Sequence, residues 1–145
     1  MELELIKNSI LDLRGKKVIL DYELAKLYGI ETKRLKESVR RNLRRFPEDF
    51  MFELSQEEWF NLRSQFASSS WGGKRYSPFA FTEQGVAMLS GVLNSDKAIS
   101  ANIAIMRTFV LVRNYALTNN DLTIKLKELE LKYDKQFDDV FEAIN

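Results

Sequence analysis

Hydrophobic and polar positions change rhythm several times along the chain. From Leu20 to Val39 the rhythm is helical and is interrupted once. Leu24, Ala25, Leu27 and Tyr28 recur at helical spacing, Gly29 interrupts, and Leu35 and Val39, four apart, resume an inward stripe. Asp21 stands where an N-cap is expected. Ala25 precedes the glycine by four, where two helices must approach closely. Ile30 is placed to plug the corner, and Leu35, six after the glycine, to pack back on the first helix. This spacing predicts a helix-turn-helix, the second helix running until Phe46-Pro47 stops it.

Around this pair the pattern is less regular. Met1 to Leu13 fits either a short strand or a helical turn. Arg14-Gly15-Lys16-Lys17 reads as a turn and Val18-Ile19-Leu20 as a strand. Phe50 to Leu54 reads as a strand, followed by a Ser55…Glu58 capping box and a helix from Gln56 to about Phe66. Gly72-Gly73, between Trp71 and Lys74-Arg75-Tyr76, suits the tip of a hairpin wing or an ordinary surface loop. Phe79-Ala80-Phe81 reads as a strand, and Thr82 as the cap of a helix ending near Asn94. Another helix starts at Ser95-Asp96 and runs to about Asn114 or Leu117. It is apolar almost all round, so it is either the centre of the core or part of a subunit interface.

Thr118-Asn119-Asn120-Asp121 reads as a break, which sets the expected boundary between a domain over 1–117 and a helical segment over 118–145. In that segment Leu122, Leu126, Leu129, Tyr133, Val140 and Ile144 follow a near-heptad spacing with Gln136 in one seam position. A coiled coil fits this, as does a helix folded back on the core or a solvent-facing helix laced with ion pairs. The pattern reaches Asn145 without a C-cap signal, which suggests a longer parent chain.

Charge sharpens the picture. The 145 residues carry a net charge of only +1, but Glu31 to Phe46 hold seven basic residues against two acidic ones, a local +5. From Asp121 onward seven acids face four lysines, a local −3. A basic helix leaving a tight helix turn is the electrostatic footprint of a DNA reader, although a charge run alone is more often a solvated face. On this reading Thr32, Lys33, Arg34, Lys36 and Glu37 lie nearest the bases. Arg40, Arg41, Arg44 and Arg45 hold phosphates, joined by Lys74 and Arg75 if a wing exists.

Composition excludes much else. The chain has no histidine and no cysteine, which removes histidine-based catalysis, thiolate metal sites and disulfides. Glu48, Asp49, Glu53, Glu57 and Glu58 are the one acidic group dense enough to suggest a metal-dependent nuclease. Turn and helix-start preferences explain them better. No apolar run approaches the ~20 residues of a membrane span. The N-terminal residues carry Glu2, Glu4 and Asp12 and do not form a secretory signal, so a cytoplasmic location is expected.

Six blocks of text resemble a known family. They are Val18 to Leu35, Asn42 to Phe52, Ser70 to Arg75, Phe81 to Ser90, Leu93 to Ala98 and Ile105 to Val110. In this order they resemble the phage-type DNA-binding domain named for an N-terminal "open reading frame six" region, a relative of the KilA-N and Bro-N domains. The likeness spans residues 10 to 115 or so. It implies a DNA-binding module of phage, prophage and bacterial proteins, often of antirepressor or regulator type.

The combined expectation is a mostly helical α+β fold. A helix-turn-helix carries a small β-sheet or hairpin, winged-helix-like, and a C-terminal helix follows. The expected activity is sequence-specific binding of double-stranded DNA as a homodimer joined through the C-terminal helices, with no catalysis, no metal and no small-molecule cofactor. The alternative is an antirepressor-like module that binds a repressor protein.

Overall fold

A computed structural model of the chain describes residues 2–66 and 76–144, with the side chains of 3–65, 76–117 and 124–132. The expected wing around Gly72-Gly73, with Lys74 and Arg75, lies outside the described residues. The chain divides into two compact units, Met1–Phe109 and Val110–Asn145.

The first unit is built on a four-stranded antiparallel sheet in the order β1-β2-β4-β3, with β1 Ile10–Leu13, β2 Lys16–Leu20, β3 Met51–Glu53 and β4 Phe79–Phe81. Met1 to Leu13 contains both of its expected alternatives in sequence, since helix α1 (Glu2–Ser9) runs directly into β1. Arg14 and Gly15 join β1 to β2 as a two-residue turn, both at positive φ (53° and 73°). That geometry matches the right-handed twist of the flanking strands.

Val18-Ile19-Leu20 and Phe79-Ala80-Phe81 are buried at every position because β2 and β4 are the inner strands and both faces of the sheet are covered. Alternation along the strands sends side chains to two cores. Ile19, Met51, Phe79 and Phe81 face one core, shared with Leu24, Ala25 and Tyr28 of α2 (Asp21–Tyr28) and Leu35 and Val39 of α3 (Thr32–Arg41). Val86 and Leu89 of α5 (Glu83–Leu89) join it, as do Ala98, Ile105 and Phe109 of α6 (Asp96–Ile144). Val18, Leu20, Phe52 and Ala80 face the other core, closed by Trp59 and Leu62 of α4 (Gln56–Phe66).

Several local expectations are met in detail. The Ser55 hydroxyl accepts the Glu58 N–H at 3.1 Å while Glu58 accepts the Ser55 N–H at 2.7 Å, a complete capping box. Thr82 accepts the Gly85 N–H and so caps α5. Gly85 is required for packing: a Cβ there would stand 1.9 Å from the Phe50 carbonyl oxygen.

Other expectations change. Asp21 is not a cap: Leu20 precedes the helix without a side-chain bond, and Asp21 is its first residue, turned inward. α6 continues through Thr118-Asn119-Asn120-Asp121 to Ile144 as one helix of 49 residues, so no break occurs there. Nor is α6 buried all round within the first unit, since Ala98, Asn102, Ile105 and Phe109 face inward while Ile99 and Ile103 are 45% and 48% exposed.

Candidate nucleic-acid interface

α2 and α3 meet through a turn whose geometry follows from one residue. Gly29 takes φ 72° and ψ 32°, the left-handed conformation that glycine adopts without strain. Its N–H donates to the Lys26 carbonyl at 3.2 Å, and the Ile30 N–H donates to the Ala25 carbonyl at 3.0 Å. This pair of bonds is a Schellman C-cap, and Ile30 packs on the core that includes Ala25. α3 therefore leaves the turn with its direction fixed and Leu35 and Val39 fully buried beneath it.

The opposite face of α3 is cationic. Lys33, Arg34, Arg40 and Arg41 are exposed and Thr32 is half-buried. Among the described residues no ion pair engages any of the four cations. α3 ends at Arg41, earlier than the expected stop at Phe46, where the Asn42 side chain donates back to the Ser38 carbonyl at 2.8 Å. Arg44 and Arg45 lie instead on the 3-10 turn Leu43–Arg45 that follows, both exposed, and buried Phe46 anchors that turn to the core. Glu37 is half-buried on the same side of the helix as Lys33 and Arg41.

Lys36 has a different position from its neighbours. Its side chain is only 12% exposed. Nζ donates to the Ser77 carbonyl at 3.0 Å, sits 3.5 Å from the Asp21 carboxylate and lies 4.9 Å from the centre of the Phe79 ring. Asp21, 1% exposed, also accepts the Phe79 N–H at 2.8 Å. Burial pushes the Asp21 carboxyl upward, opposed by the Phe79 N–H and the Lys36 charge. These contacts tie the start of α2, the middle of α3 and the entry to β4 to one buried point. Lys36 thus orients α3, which its place in a cationic run conceals.

One cation was not singled out from the sequence. The Lys97 side chain, on the first turn of α6, lies over the helix turn, and a Cβ on Gly29 would stand 2.6 Å from its Nζ. Its ammonium sits by the C-terminus of α2, where carbonyl dipoles favour positive charge. No local pattern in α2 or α3 announces it, because the contact is made by a residue distant in sequence.

Two cations of the β1–β2 turn region and one of the acidic candidates are engaged in ion pairs. Arg14 donates to both Glu58 oxygens at 2.8 and 2.9 Å and lies 4.1 Å from the centre of the Phe52 ring, which holds Glu58 well below the usual carboxylate range, at about 2. Lys17 pairs with Asp12 at 2.7 Å. Among the described residues no three carboxylates converge as a metal site would require. No described helix is long and apolar enough to cross a membrane.

A second feature of the first unit is an open groove of about 500 Å³ lined by Ala87, Ser90, Ile99, Asn102, Ile103, Met106 and Arg107. Asn102 is 6% exposed; its Oδ1 accepts the Tyr28 hydroxyl, and its Nδ2 has no partner.

The fold and this surface define a small α+β domain whose helix pair presents a cationic outer face. A family model, the ORF6N domain, matches residues 8–92, more than half of the chain, and the chain belongs to the phage-related ORF6N family. Comparisons with curated proteins and with solved structures gave no match.

Proposed function

We propose that the chain is a non-catalytic, sequence-specific DNA-binding protein of phage or prophage regulator type, with α3 entering the major groove. The observation that carries this reading is the row of exposed cations Lys33, Arg34, Arg40, Arg41, Arg44 and Arg45, none held by an ion pair among the described residues. A neutralised face would be an ordinary solvated surface. A helix held rigidly from below, with its outward charges left unpaired, suits a polyanion. Thr32, Lys33, Arg34 and Glu37 are placed to meet base edges. Arg40, Arg41, Arg44 and Arg45 are placed for phosphates, with Lys97 adding a cation beside the turn. Lys36 acts from within, by positioning α3.

Selection from a random pool of duplex DNA tests this. Recovery of a shared sequence, lost when Lys33 and Arg34 are both replaced by alanine, supports it; a pool that stays random after repeated rounds opposes it.

The groove at Asn102 favours a second reading, an antirepressor-like module that docks on a repressor. The mostly apolar walls of the groove suit a protein surface. Such binding would be nearly indifferent to salt and would be lost in Ile103→Asp.

A further inference from the structure

The continuity of α6 changes the meaning of its outer surface. Because Thr118 to Asp121 are helical, the heptad frame set by Leu126 and Leu129 extends back past them. With Leu126 at a and Leu129 at d, the a positions are Val112, Asn119, Leu126, Tyr133 and Val140, and the d positions are Tyr115, Leu122, Leu129, Gln136 and Ala143. The frame runs from 112 to 143 without a slip, entirely within the second unit. That unit consists of α6 alone. Of the described seam residues, Tyr115, Leu126 and Leu129 are 71%, 53% and 49% exposed, and Val112 is half-buried. A helix of this kind is stable in water chiefly when another helix covers its seam.

A rival line exists on the same helix. Ile103, Val110, Leu117, Ile124 and Leu131 recur every seventh residue, and all are exposed. Beyond Val110, however, the positions three and four further on are Arg113, Asn114, Asn120, Asp121, Lys127, Glu128, Asp134 and Lys135. That line has one apolar row, whereas knobs-into-holes packing needs two.

We propose that the occupant of the seam is a second copy of this chain, aligned parallel and in register as a two-stranded coiled coil. Asn119 falls at an a position, where a single asparagine can pair with its counterpart only when the strands are in register. Val112 and Val140 at a, with Leu122 and Leu129 at d, favour two strands. Lys125 at g stands five before Glu130 at e, so a parallel pair brings opposite charges together across the seam on both sides. An antiparallel pair would instead set the g rows face to face, with Lys125 and Lys132 in both. The two-fold axis of the coil would give the complex two copies of α3 and a two-fold symmetric DNA site. The pairing itself does not depend on DNA binding.

The absence of native cysteine allows a direct test on the full chain without DNA. Sedimentation equilibrium should give twice the chain mass for the wild type and a single-chain mass for Leu126→Asp/Leu129→Asp. Mild oxidation should convert Leu129→Cys to covalent dimer at least about tenfold faster than Leu131→Cys, because only facing d positions come within disulfide reach. Asn119→Leu should move the mass from a uniform dimer toward a mixture with larger species. A single-chain mass for the wild type, a trimer or tetramer, a dimer without Leu129→Cys cross-linking, equal cross-linking at both sites, or an unchanged mass in Asn119→Leu would each overturn the proposal.

Discussion

α3 and the C-terminal half of α6 both present an uncovered helix face, and the two faces have opposite chemistry. α3 has 10 residues, is held from below by Leu35, Val39 and the buried Lys36–Asp21 contact, and turns Lys33, Arg34 and Arg41 outward, while the exposed Arg40 has its guanidinium 5.5 Å from the centre of the Phe79 ring. α6 beyond Phe109 has no neighbouring element in its unit and exposes Tyr115, Leu126 and Leu129. An uncovered cationic face calls for an anion, and its binding weakens with salt. An uncovered apolar seam calls for another seam, and its association follows concentration and resists salt. The two units can therefore be disabled one at a time.

The largest effect is expected at Gly85. Gly85→Ala drives a Cβ into the Phe50 carbonyl and should lower the melting temperature of the first unit by about 10 °C, equivalent to about 3 kcal/mol. Scanning calorimetry checks this, and the self-association of α6 should survive.

Next is Lys36→Met, which leaves the Asp21 carboxylate buried without its cation. Removing one partner of a buried pair costs about 3 kcal/mol. The pH dependence has a definite sign. Burial already raises the folded-state value of Asp21, so the folded chain binds more protons than the unfolded one and stability falls as pH rises through that value. Without Lys36 the value rises further, so the deficit measured by urea denaturation should be larger at pH 8 than at pH 5.

Arg41→Ala/Arg44→Ala should leave stability and oligomeric mass unchanged. It should weaken duplex binding about a hundredfold, at about 1.4 kcal/mol per charged contact, read by fluorescence anisotropy.

The smallest effect is at Glu58. Its folded-state value of about 2 lies below the ordinary 4.5, so its contribution is complete above 4.5 and lost as pH falls toward 2. Glu58→Gln should remove that acid-side loss, a difference of about 2 °C in melting temperature between pH 5 and pH 3.

Much of this was legible in the residues. Ala25, Gly29 and Leu35 announce the helix pair because a close approach, a left-handed turn and a returning aliphatic side chain are local steric demands. Ser55 and Glu58 announce α4 for the same reason. What was hidden depends on distant contacts. Asp21 has the look of a cap, and only the approach of Phe79 and Lys36 turns it inward. Lys36 is indistinguishable in sequence from the cations beside it. The polar run at Thr118 to Asp121 resembles a break, yet the chain has no proline or glycine after Gly91, and asparagine and aspartate disfavour a helix interior by well under 1 kcal/mol each. The helix therefore continues, and with it the heptad frame that brings Asn119 into the seam.

The central claim is that the unpaired cations of α3 and its following turn bind the duplex backbone. Titrating a fluorescent duplex with the wild-type chain at a series of salt concentrations tests it most directly. Five phosphate contacts, from Arg40, Arg41, Arg44, Arg45 and Lys97, predict that log affinity falls against log salt with a slope of about −4.5, and about −2.7 in Arg41→Ala/Arg44→Ala, at about −0.9 per contact. A slope near zero in the wild type, or one that the double variant leaves unchanged, would contradict it.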